Sequence, residues 1–491
     1  MKKLPNILWI CADQLRSDTL SVNGDPIVST PNIKRLADMG ANMKNAYSQS
    51  PVCAPSRAGF LTGRYPRTTL LRQNGQDIPE SERLVTRILK DNGYTCGLSG
   101  KFHLSACSFS VCGDTERRID DGYDVFNWSH HPVSPGETPN WTGNEYTWFL
   151  RENGITQGPV KREDCKYVEN GYPEEYSQTT WCTNKAIEFM DAAASQDKPF
   201  CFTVNYFDPH HPFDPPKEIL EKYIKQLDEI LLPNYSPGEL DTKSIFANKD
   251  HGGAYETPGN YPFSEMNDHD HKMLRAAYYA MIEGIDNNVK RLLDYLEEHQ
   301  LLENTIILFH SDHGEMLGDH GVYLKGPYFY ECCVHVPMLI AWKGHIKEQK
   351  TYHNLVEQTD IVPTLLELCG LETEPQIQGR SFARLLTGSS GDDHRDYVYS
   401  EFYNSNLNHC EPKAYGTMIF DGRYKLIRFH YQRPCAGLLA GELYDLKTDP
   451  TETVNQYVNP DYTEVKLRLL ESMTDAMTAT IDPLPLRRSP W

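Results

Sequence analysis

The feature that most constrains the fold of this chain is the alternation of short apolar segments with helical ones. After the first apolar segment, TPNIKRLADMG (30–40) predicts a helix with Pro31 in its first turn. A second helix is indicated by apolar residues spaced by three and four between Tyr278 and Leu296. The predicted strands are NILWIC (6–11), YTCGLS (94–99), PFCFTVNYF (199–207) and TIILFHS (305–311). Strands joined by crossover helices run parallel, so we expect an α/β fold with helices on both faces of a large mixed, mostly parallel sheet.

The length of the chain argues for more than one structural unit. At 491 residues it exceeds what a single core usually supports. We therefore predict a catalytic domain over residues 1–390 and a smaller C-terminal α+β subdomain over residues 391–491.

Charge and composition limit the partners and the compartment. The formal net charge of −20 argues against nucleic acid and anionic membranes, so an anionic substrate must meet a local positive pocket. The apolar patch near the start is interrupted by Asp13 after about six residues, which is short of a secretory core segment. The thirteen cysteines show no framework spacing. We expect a cytoplasmic protein with reduced thiols and no membrane segment.

Polar residues follow each predicted strand at its carboxyl end. In open α/β sheets the ligand crevice lies outside these ends, so the side chains can converge there. Oxygen ligands with one imidazole suit Ca²⁺ or Mg²⁺ better than a thiolate zinc site does. Taken alone, each position is as often a turn or helix cap, and a single lysine is more often a solvated charge. The residues are Asp13 and Gln14, Lys101 and His103, His210 and His211, and Asp312 and His313.

Cys53 lies in the stretch SPVCAPSRAGFLTGRYP (50–66), which has the features of a short helix. Pro55 suits the first turn, and Gly63 suits the end. A thiol at a helix N-terminus has a lowered pKa and lies where anions bind. A buried structural cysteine is the alternative interpretation of this residue taken alone.

Several of these segments together resemble a known family. CAPSRAGFLTG matches the C-x-P-S-R-x-x-x-L-T-G motif of the formylglycine-dependent sulfatases, which belong to the alkaline phosphatase superfamily. The resemblance continues, in the family's order and over nearly the whole chain, through TPNIKRLADMGANMKNAY, GYTCGLSGKFHL, DPHHPFDPP, SDHGEMLGDHGVYLKG, QTDIVPTLLELCGL and GELYDLKTDPTETVNQ. It implies an alkaline-phosphatase-like sheet and the hydrolysis of sulfate monoesters.

The resemblance also implies a role for Cys53 and for the residues around it. In this family a separate maturation enzyme oxidises the motif cysteine to formylglycine, whose hydrate attacks sulfur and later releases sulfate. Arg57 would hold the formylglycine oxygen and the carboxylates beside the metal, and Lys101 and Lys325 would bind sulfate oxygens. The base that acts during sulfate release would be His103, and the histidine near the leaving-group oxygen would be His210 rather than His211.

The metal site implied by the resemblance consists of Asp13, Gln14, Asp312 and His313, and the family usually holds Ca²⁺ there. Many sulfatases carry a second aspartate where this chain has Gln14. Phosphonate monoester and phosphodiester hydrolases of the same superfamily, choline sulfatases and a number of bacterial carbohydrate sulfatases share the Asp-Gln pair. Gln14 therefore does not discriminate among these classes.

The sequence does not identify the leaving group. A small sulfated mono- or oligosaccharide is the preferred substrate, and the alternatives are an aryl or choline sulfate, a phosphonate or phosphate diester, and an inactive binding homologue. An insertion at 104–175 is rich in aromatic residues, and it either shapes the pocket or covers the core. Its candidate residues are Trp128, His130, His131, Trp141 and Trp148. The sequence does not predict the oligomeric state.

Overall fold

The computed structural model describes most of the chain. The described residues are 4–108, 110–130, 144–194, 196, 198–388, 393–405, 411–431, 438–485 and 487. His131, Trp141 and the domain boundary predicted between residues 390 and 391 lie outside them, so that boundary stays a prediction.

The strands of the described residues form a nine-stranded sheet, a four-stranded sheet and a two-stranded ribbon. The large sheet consists of β1 (Asn6–Ala12), β2 (Gly40–Tyr47), β3 (Thr95–Gly100), β4 (Val125–Trp128), β7 (Phe200–Tyr206), β8 (Thr305–Ser311), β9 (His335–Val336), β10 (Met338–Ala341) and β11 (Lys350–Glu357). The ribbon consists of β5 (Val160–Lys161) and β6 (Glu169–Asn170), and the small sheet of β12 (Val398–Tyr403), β13 (Tyr415–Phe420), β14 (Tyr424–Phe429) and β15 (Gly441–Asp445).

The α-helices alternate with these strands along the chain. They are α1 (Pro31–Asp38), α2 (Cys53–Thr62), α3 (Pro66–Thr69), α4 (Val85–Asp91), α5 (Glu145–Glu152), α6 (Gln178–Ala194), α7 (Lys217–Ile224), α8 (Ile245–Asp250), α9 (Asp268–Glu298), α10 (Glu331–Val334), α11 (Ile361–Leu368), α12 (Ala383–Thr387) and α13 (Thr463–Ala479).

The large sheet is mixed and mostly parallel, which confirms the predicted fold class. Its strand order is β11-β2-β10-β8-β1-β7-β3-β4, and β9 pairs with β2. The strands from β8 to β4 are mutually parallel, whereas β10 is antiparallel to both of its neighbours. The four strands predicted from the sequence are therefore adjacent, in the order β8-β1-β7-β3.

Helices cover both faces of this sheet because alternate residues of its strands point to opposite sides. On β1, Leu8 and Ile10 pack with buried side chains of α1, α6, α7 and α9, whereas Ile7 and Trp9 pack with those of α2, α4 and α11. Both clusters are continuous and apolar, so the sheet is a rigid support for the loops at its carboxyl edge.

The small sheet is an antiparallel meander at the C-terminal end of the chain. Leu469 and Met473 of α13 pack against its residues. Ion pairs join this unit to the large one: Arg67 Nε lies 2.7 Å from Glu401 Oε2, and Lys425 Nζ lies 2.7 Å from Glu331 Oε1. Among the helices of the described ranges, none combines the length and the apolar character that crossing a membrane requires.

Candidate active site

The predicted site residues converge at the carboxyl ends of four adjacent parallel strands. Asp13 and Gln14 follow β1, Lys101 and His103 follow β3, His210 follows β7, and Asp312 and His313 follow β8. Because β8, β1, β7 and β3 are neighbours, their C-terminal loops open on one edge of the sheet. The convergence predicted from the sequence is present in the structure, while the chemical roles of these residues stay predictions.

Helix α2 brings Cys53 to this edge. Cys53 is the first residue of the helix and is almost fully buried, and Gly63 ends the helix in the left-handed region with φ of 69°. The backbone N–H of Ala54 donates to Asn74 Oδ1 at 3.0 Å. The thiol therefore lies at the positive end of a helix dipole that points into the cluster.

The Cys53 thiol is surrounded by the predicted catalytic groups. Its Sγ lies 3.1 Å from His313 Nε2, 3.5 Å from Lys101 Nζ and 3.7 Å from Asp13 Oδ1. His103, His210 and Lys325 also interact with the thiol through their side chains.

Arg57 connects the residues around Cys53 through three contacts of its guanidinium group. Its side chain is 1% exposed, with Nε 2.9 Å from Asp312 Oδ2, Nη2 3.2 Å from Asp13 Oδ2 and Nη1 2.9 Å from the Lys101 carbonyl. Arg57 thus ties the ends of β1, β3 and β8 to α2. The planar guanidinium fork makes these three contacts at fixed angles, which a lysine could not reproduce.

Asp13, Asp312 and His313 fit a divalent cation. His313 Nε2 lies 3.9 Å from an oxygen of each aspartate, and the possible ligand atoms of this group, with Cys53 Sγ, lie within 4.8 Å of one another. His313 Nδ1 lies 2.8 Å from the Gly314 carbonyl, so Nδ1–H donates there, and Nε2 is the ring nitrogen that would bind a metal ion once it has lost its proton. Two buried carboxylates beside one imidazole form a donor set suited to a hard cation such as Ca²⁺.

Gln14 is placed at this site by two side-chain contacts. Its Oε1 accepts from Lys325 Nζ at 2.6 Å, and its Nε2 donates to Glu315. Its backbone N–H donates to Asp312 Oδ1 at 2.9 Å. An amide oxygen has a second lone pair, so the contact with Lys325 leaves Oε1 able to accept again. The ligand role of Gln14 stays a prediction.

Glu315 is a buried carboxylate that the sequence interpretation missed. It accepts from Gln14 and from the backbone N–H of Leu317 and Leu324, at 2.9 and 2.5 Å. These bonds fix the loop that ends at Lys325. Within SDHGEMLGDHG, no spacing distinguishes this glutamate from a surface one.

Glu116 is a second buried carboxylate that was not predicted. Its Oε2 accepts from the backbone N–H of His103 and from Trp128 Nε1, each at 2.8 Å, and its Oε1 accepts from the N–H of Leu104 and Ser105 at 2.7 and 3.1 Å. His103 itself has a φ of 58°. Four donors on one carboxylate therefore hold the predicted base in an uncommon backbone conformation.

His210 and His211 lie together on the loop after β7. Their rings stack with centroids 4.0 Å apart, and His210 Nδ1 lies 2.5 Å from the His211 carbonyl. His210 interacts with the Cys53 thiol, whereas the ring centroid of His211 lies 6.0 Å from that of Tyr261. This placement agrees with the preference for His210 over His211.

The electrostatics of the cluster favour an anion at Cys53. Burial opposes ionisation of the thiol, but Lys101, Lys325 and His313 outweigh it and hold the pKa of Cys53 well below its ordinary value. Burial lowers the pKa of His103 to about 4. Burial and the charge of Lys325 also lower the pKa of His210. Both histidines are therefore neutral near pH 7, while the positive charge that acts on the thiol comes from Lys101, Lys325 and His313.

The motif serine, Ser56, has a structural position that the sequence did not reveal. Its hydroxyl lies 2.6 Å from the Asp312 carbonyl and 2.8 Å from Gln358 Oε1. Ser48 Oγ donates to the same carbonyl at 2.7 Å. The two hydroxyls connect α2 and the end of β2 to the loop that carries Asp312 and His313.

The aromatic insertion has more than one role in its described part. Trp128 is buried, ends β4 and donates to Glu116. Trp148, in contrast, is 42% exposed. His130 lies beside the predicted base, with its ring centroid 4.5 Å from that of His103. Trp128 therefore supports the core, and His130 borders the site.

Comparisons with known proteins agree with this geometry. The Sulfatase family model matches residues 5–371, and the model of the N-sulphoglucosamine sulphohydrolase C-terminal region matches residues 318–479. An arylsulfatase from Clostridium perfringens is 30% identical over 472 residues, which are 94% of this chain and 92% of that protein. An N-acetylglucosamine-6-O-sulfatase from Bacteroides thetaiotaomicron is 25% identical over 525 residues, or 96% and 86% of the two chains.

A solved structure shows the same fold over nearly the whole chain. The phosphonate monoester hydrolase from Silicibacter pomeroyi superposes with a TM-score of 0.82 and 24% identity, covering 97% of this chain and 96% of that one. Together, the family match and the convergence of the motif residues identify this chain as a sulfuric ester hydrolase that belongs to the formylglycine-dependent sulfatase family of the alkaline phosphatase superfamily.

Proposed function

We propose that this enzyme removes sulfate from a small sulfated mono- or oligosaccharide, using a formylglycine formed from Cys53 by a maturation enzyme and one bound Ca²⁺. The observation that carries the proposal is the position of Cys53 at the N-terminus of α2, 3.5 Å from Lys101 Nζ and 3.1 Å from His313 Nε2. A structural cysteine has no need of this concentration of buried charge.

The Sγ of Cys53 marks the place of the formylglycine oxygens. In its hydrated form, formylglycine supplies one hydroxyl that attacks sulfur and a second that allows sulfate to be released with return of the aldehyde. Lys101 Nζ and Lys325 Nζ donate to the sulfate oxygens and offset the charge that develops on them. Arg57, through its bonds to Asp13 and Asp312, fixes the two carboxylates of the site, and Lys101 Nζ lies 2.5 Å from Asp13 Oδ2.

The two histidines serve the proton transfers. A neutral His103 can accept a proton from the hydroxyl that remains after attack, and its lowered pKa keeps it neutral beforehand. A bound sulfate ester adds negative charge beside His210, which raises the pKa of the imidazole and favours the protonated form that donates to the leaving-group oxygen.

Asp13, Gln14, Asp312 and His313 would hold the Ca²⁺. When bound, the ion would supply a fixed positive charge that favours the ionised form of the nucleophile. Arg57 pairs with the Oδ2 atoms of Asp13 and Asp312. The Oδ1 atoms face His313.

A saccharide is supported by the surroundings of the site and by a relative. The Tyr255 side chain interacts electrostatically with Cys53, and His210, which contacts the thiol, stacks on His211, so aromatic and polar groups lie near the nucleophile. Such groups stack on sugar rings and bond their hydroxyls. The N-acetylglucosamine-6-O-sulfatase relative acts on a sulfated sugar, by its name. A net charge of −20 disfavours long polyanionic chains.

Mass spectrometry and a substrate panel test the proposal. Peptide mass spectrometry of enzyme co-expressed with a formylglycine-generating enzyme is expected to find the aldehyde or its hydrate at Cys53. Sulfated saccharides are then compared with an aryl sulfate, choline sulfate and a phosphonate monoester under equal conditions. Full activity of protein in which Cys53 is still a thiol would disprove the formylglycine assignment. If kcat/KM is higher for the phosphonate monoester by orders of magnitude, the enzyme is a phosphonate hydrolase and the sulfatase proposal is wrong. If choline sulfate is preferred, the sulfatase proposal stands and only the saccharide assignment is wrong.

A cytoplasmic location is part of the same proposal. The cysteines within the described residues are all free thiols, which agrees with a reducing compartment. Fractionation of the native host tests this, and recovery of the enzyme outside the cytoplasm would contradict it.

A further inference from the structure

A second group of side chains that could hold a metal ion includes the predicted base, His103, and lies outside the predicted Ca²⁺ site. His103, Cys107 and His130 each offer a ligand atom, and these atoms lie within 4.8 Å of one another. His103 is 7% exposed and Cys107 is 9% exposed, while His130 is half-buried and opens the group towards solvent. The sequence interpretation did not link these residues.

The state of His103 points to a missing partner. Within the described part of the chain, His103 Nδ1 is buried and has no hydrogen-bond partner. The same side chain interacts with the Cys53 thiol, and its backbone is held by Glu116. A buried ring nitrogen without a partner costs free energy unless it meets a donor, a water molecule or a metal.

We propose that His103, Cys107 and His130 form a second metal site, which binds a borderline divalent cation such as Zn²⁺. Two imidazoles and one thiol suit Zn²⁺, whereas the carboxylate-rich site at Asp13 and Asp312 suits Ca²⁺. Tetrahedral Zn²⁺ requires ligand atoms about 3.3–3.6 Å apart, as bond lengths of about 2.0–2.3 Å dictate. The three ligand atoms already lie within 4.8 Å of one another, so a bound ion would have to draw them together by no more than about 1.5 Å.

Metal binding to His103, Cys107 and His130 depends on the charges around them. Cys107 Sγ donates to the Ser105 carbonyl at 2.8 Å, so the thiol must lose that proton to solvent when the sulfur–metal bond forms. Glu116 interacts with Cys107 and adds a negative charge that attracts the cation, while Lys101 acts on both His103 and Cys107 and opposes it. Three protein ligands leave the fourth position open to water, whereas structural Zn²⁺ sites are closed by four protein ligands.

Binding at this group removes His103 from proton transfer. A metal on its ring fixes the imidazole in the ligand role, so bound Zn²⁺ inhibits sulfate release. This inhibitory consequence rests on the proposed function, whereas the binding of the metal does not.

Cobalt spectroscopy tests the binding without any need for activity. Co²⁺ is added, in excess calcium, to full-length protein carrying Cys53→Ala, so that a thiolate-to-cobalt charge-transfer band must come from another cysteine. We expect the band in this protein, its loss on adding Cys107→Ser or His130→Gln, and its retention with the control Cys165→Ser, which replaces a buried cysteine outside the group. Absence of the band, or its survival in both the Cys107→Ser and His130→Gln proteins, would overturn the site.

Zinc inhibition of the mature enzyme tests the consequence. Zn²⁺ is expected to inhibit the calcium-loaded enzyme, and Cys107→Ser is expected to raise the inhibitory concentration at least about tenfold while Cys165→Ser leaves it unchanged. Equal inhibition of both variants would overturn the inhibitory role even if cobalt binds. If the enzyme proves inactive on every sulfate ester, the cobalt result alone decides whether the site exists.

Discussion

His313 Nε2 lies 3.1 Å from Cys53 Sγ, although one residue follows β8 and the other begins α2. His313 Nδ1–H donates to the Gly314 carbonyl at 2.8 Å, and this hydrogen bond orients the ring with Nε2 towards the thiol. Cys53 therefore lies at a helix N-terminus in contact with the imidazole of His313 and the ammonium group of Lys101, and the reaction of the site depends on the group at this position.

Cys53→Ser is expected to give a protein that reacts once. A serine hydroxyl at this position can attack sulfur, but it has no second hydroxyl with which to release sulfate. Intact mass measurement after incubation with a reactive aryl sulfate should show one sulfo group per chain, and steady-state turnover should fall by several orders of magnitude. Cys53→Ala is the control and should remain unlabelled. Continued turnover of the serine variant would contradict the release mechanism.

Glu116→Gln is expected to lower kcat about tenfold with a smaller change in KM, because Glu116 positions His103 without touching the substrate. A glutamine offers its NH₂ to one of the two donor pairs on this carboxylate, so two of the four bonds are lost. Steady-state kinetics give the kcat and KM values separately.

The control for this change is Glu80→Gln, which removes an exposed carboxylate paired with Arg117. It should leave both constants unchanged. A merely structural role for Glu116 would lower the amount of folded enzyme without changing kcat per folded active site.

The sequence predicted those parts of the molecule that depend on local pattern. The strands that became β1, β3, β7 and β8 are short apolar runs, and their parallel direction follows from the helical crossovers between them. The helix predicted over 278–296 lies within α9 (Asp268–Glu298), which begins with a capping box at Asn267 and Asp270. Local chemistry was sufficient in each case.

The contacts of Glu116 and Glu315, and the position of His130 beside His103, could not be predicted because they depend on tertiary structure. Both glutamates accept backbone N–H groups of loops, and such contacts leave no periodic trace in the sequence. His130 meets His103 only because β4 pairs with β3 and brings the two loops side by side. The small antiparallel sheet was expected only as part of an α+β subdomain, without its strands.

Ser56→Ala is expected to reduce the free energy of unfolding by about 1–3 kcal/mol, because it removes a buried hydroxyl between the Asp312 carbonyl and Gln358. Urea denaturation of the unmodified thiol protein measures this without interference from maturation. Ser81→Ala replaces an exposed serine and should leave the midpoint unchanged. Equal midpoints for both variants would show that Ser48 alone secures the Asp312 carbonyl.

Asp312→Ala is expected to abolish the binding of one divalent ion per chain together with activity. The change removes a carboxylate that faces His313 and Asp13, and it leaves Arg57 with one ion pair fewer. Elemental analysis after dialysis against calcium measures the metal content. Asp241→Ala, which removes an exposed carboxylate, should retain it. Full metal content in the Asp312 variant would place the ion elsewhere.

Lys325→Ala is expected to lower kcat/KM by the same factor for every sulfate ester, roughly a hundredfold or more. Lys325 is 4% exposed, donates to Gln14 Oε1 at 2.6 Å and interacts with Cys53, so its charge acts on the common sulfate group rather than on the leaving group. Aryl sulfate, choline sulfate and a sulfated sugar give three values of the factor, and the exposed Lys347→Ala provides the control. Because the leaving group is bound by other residues, specificity should survive although the rate falls. A factor that differs more than about tenfold between substrates would mean that Lys325 also contacts the leaving group, and the division between sulfate-binding and specificity residues would then be wrong.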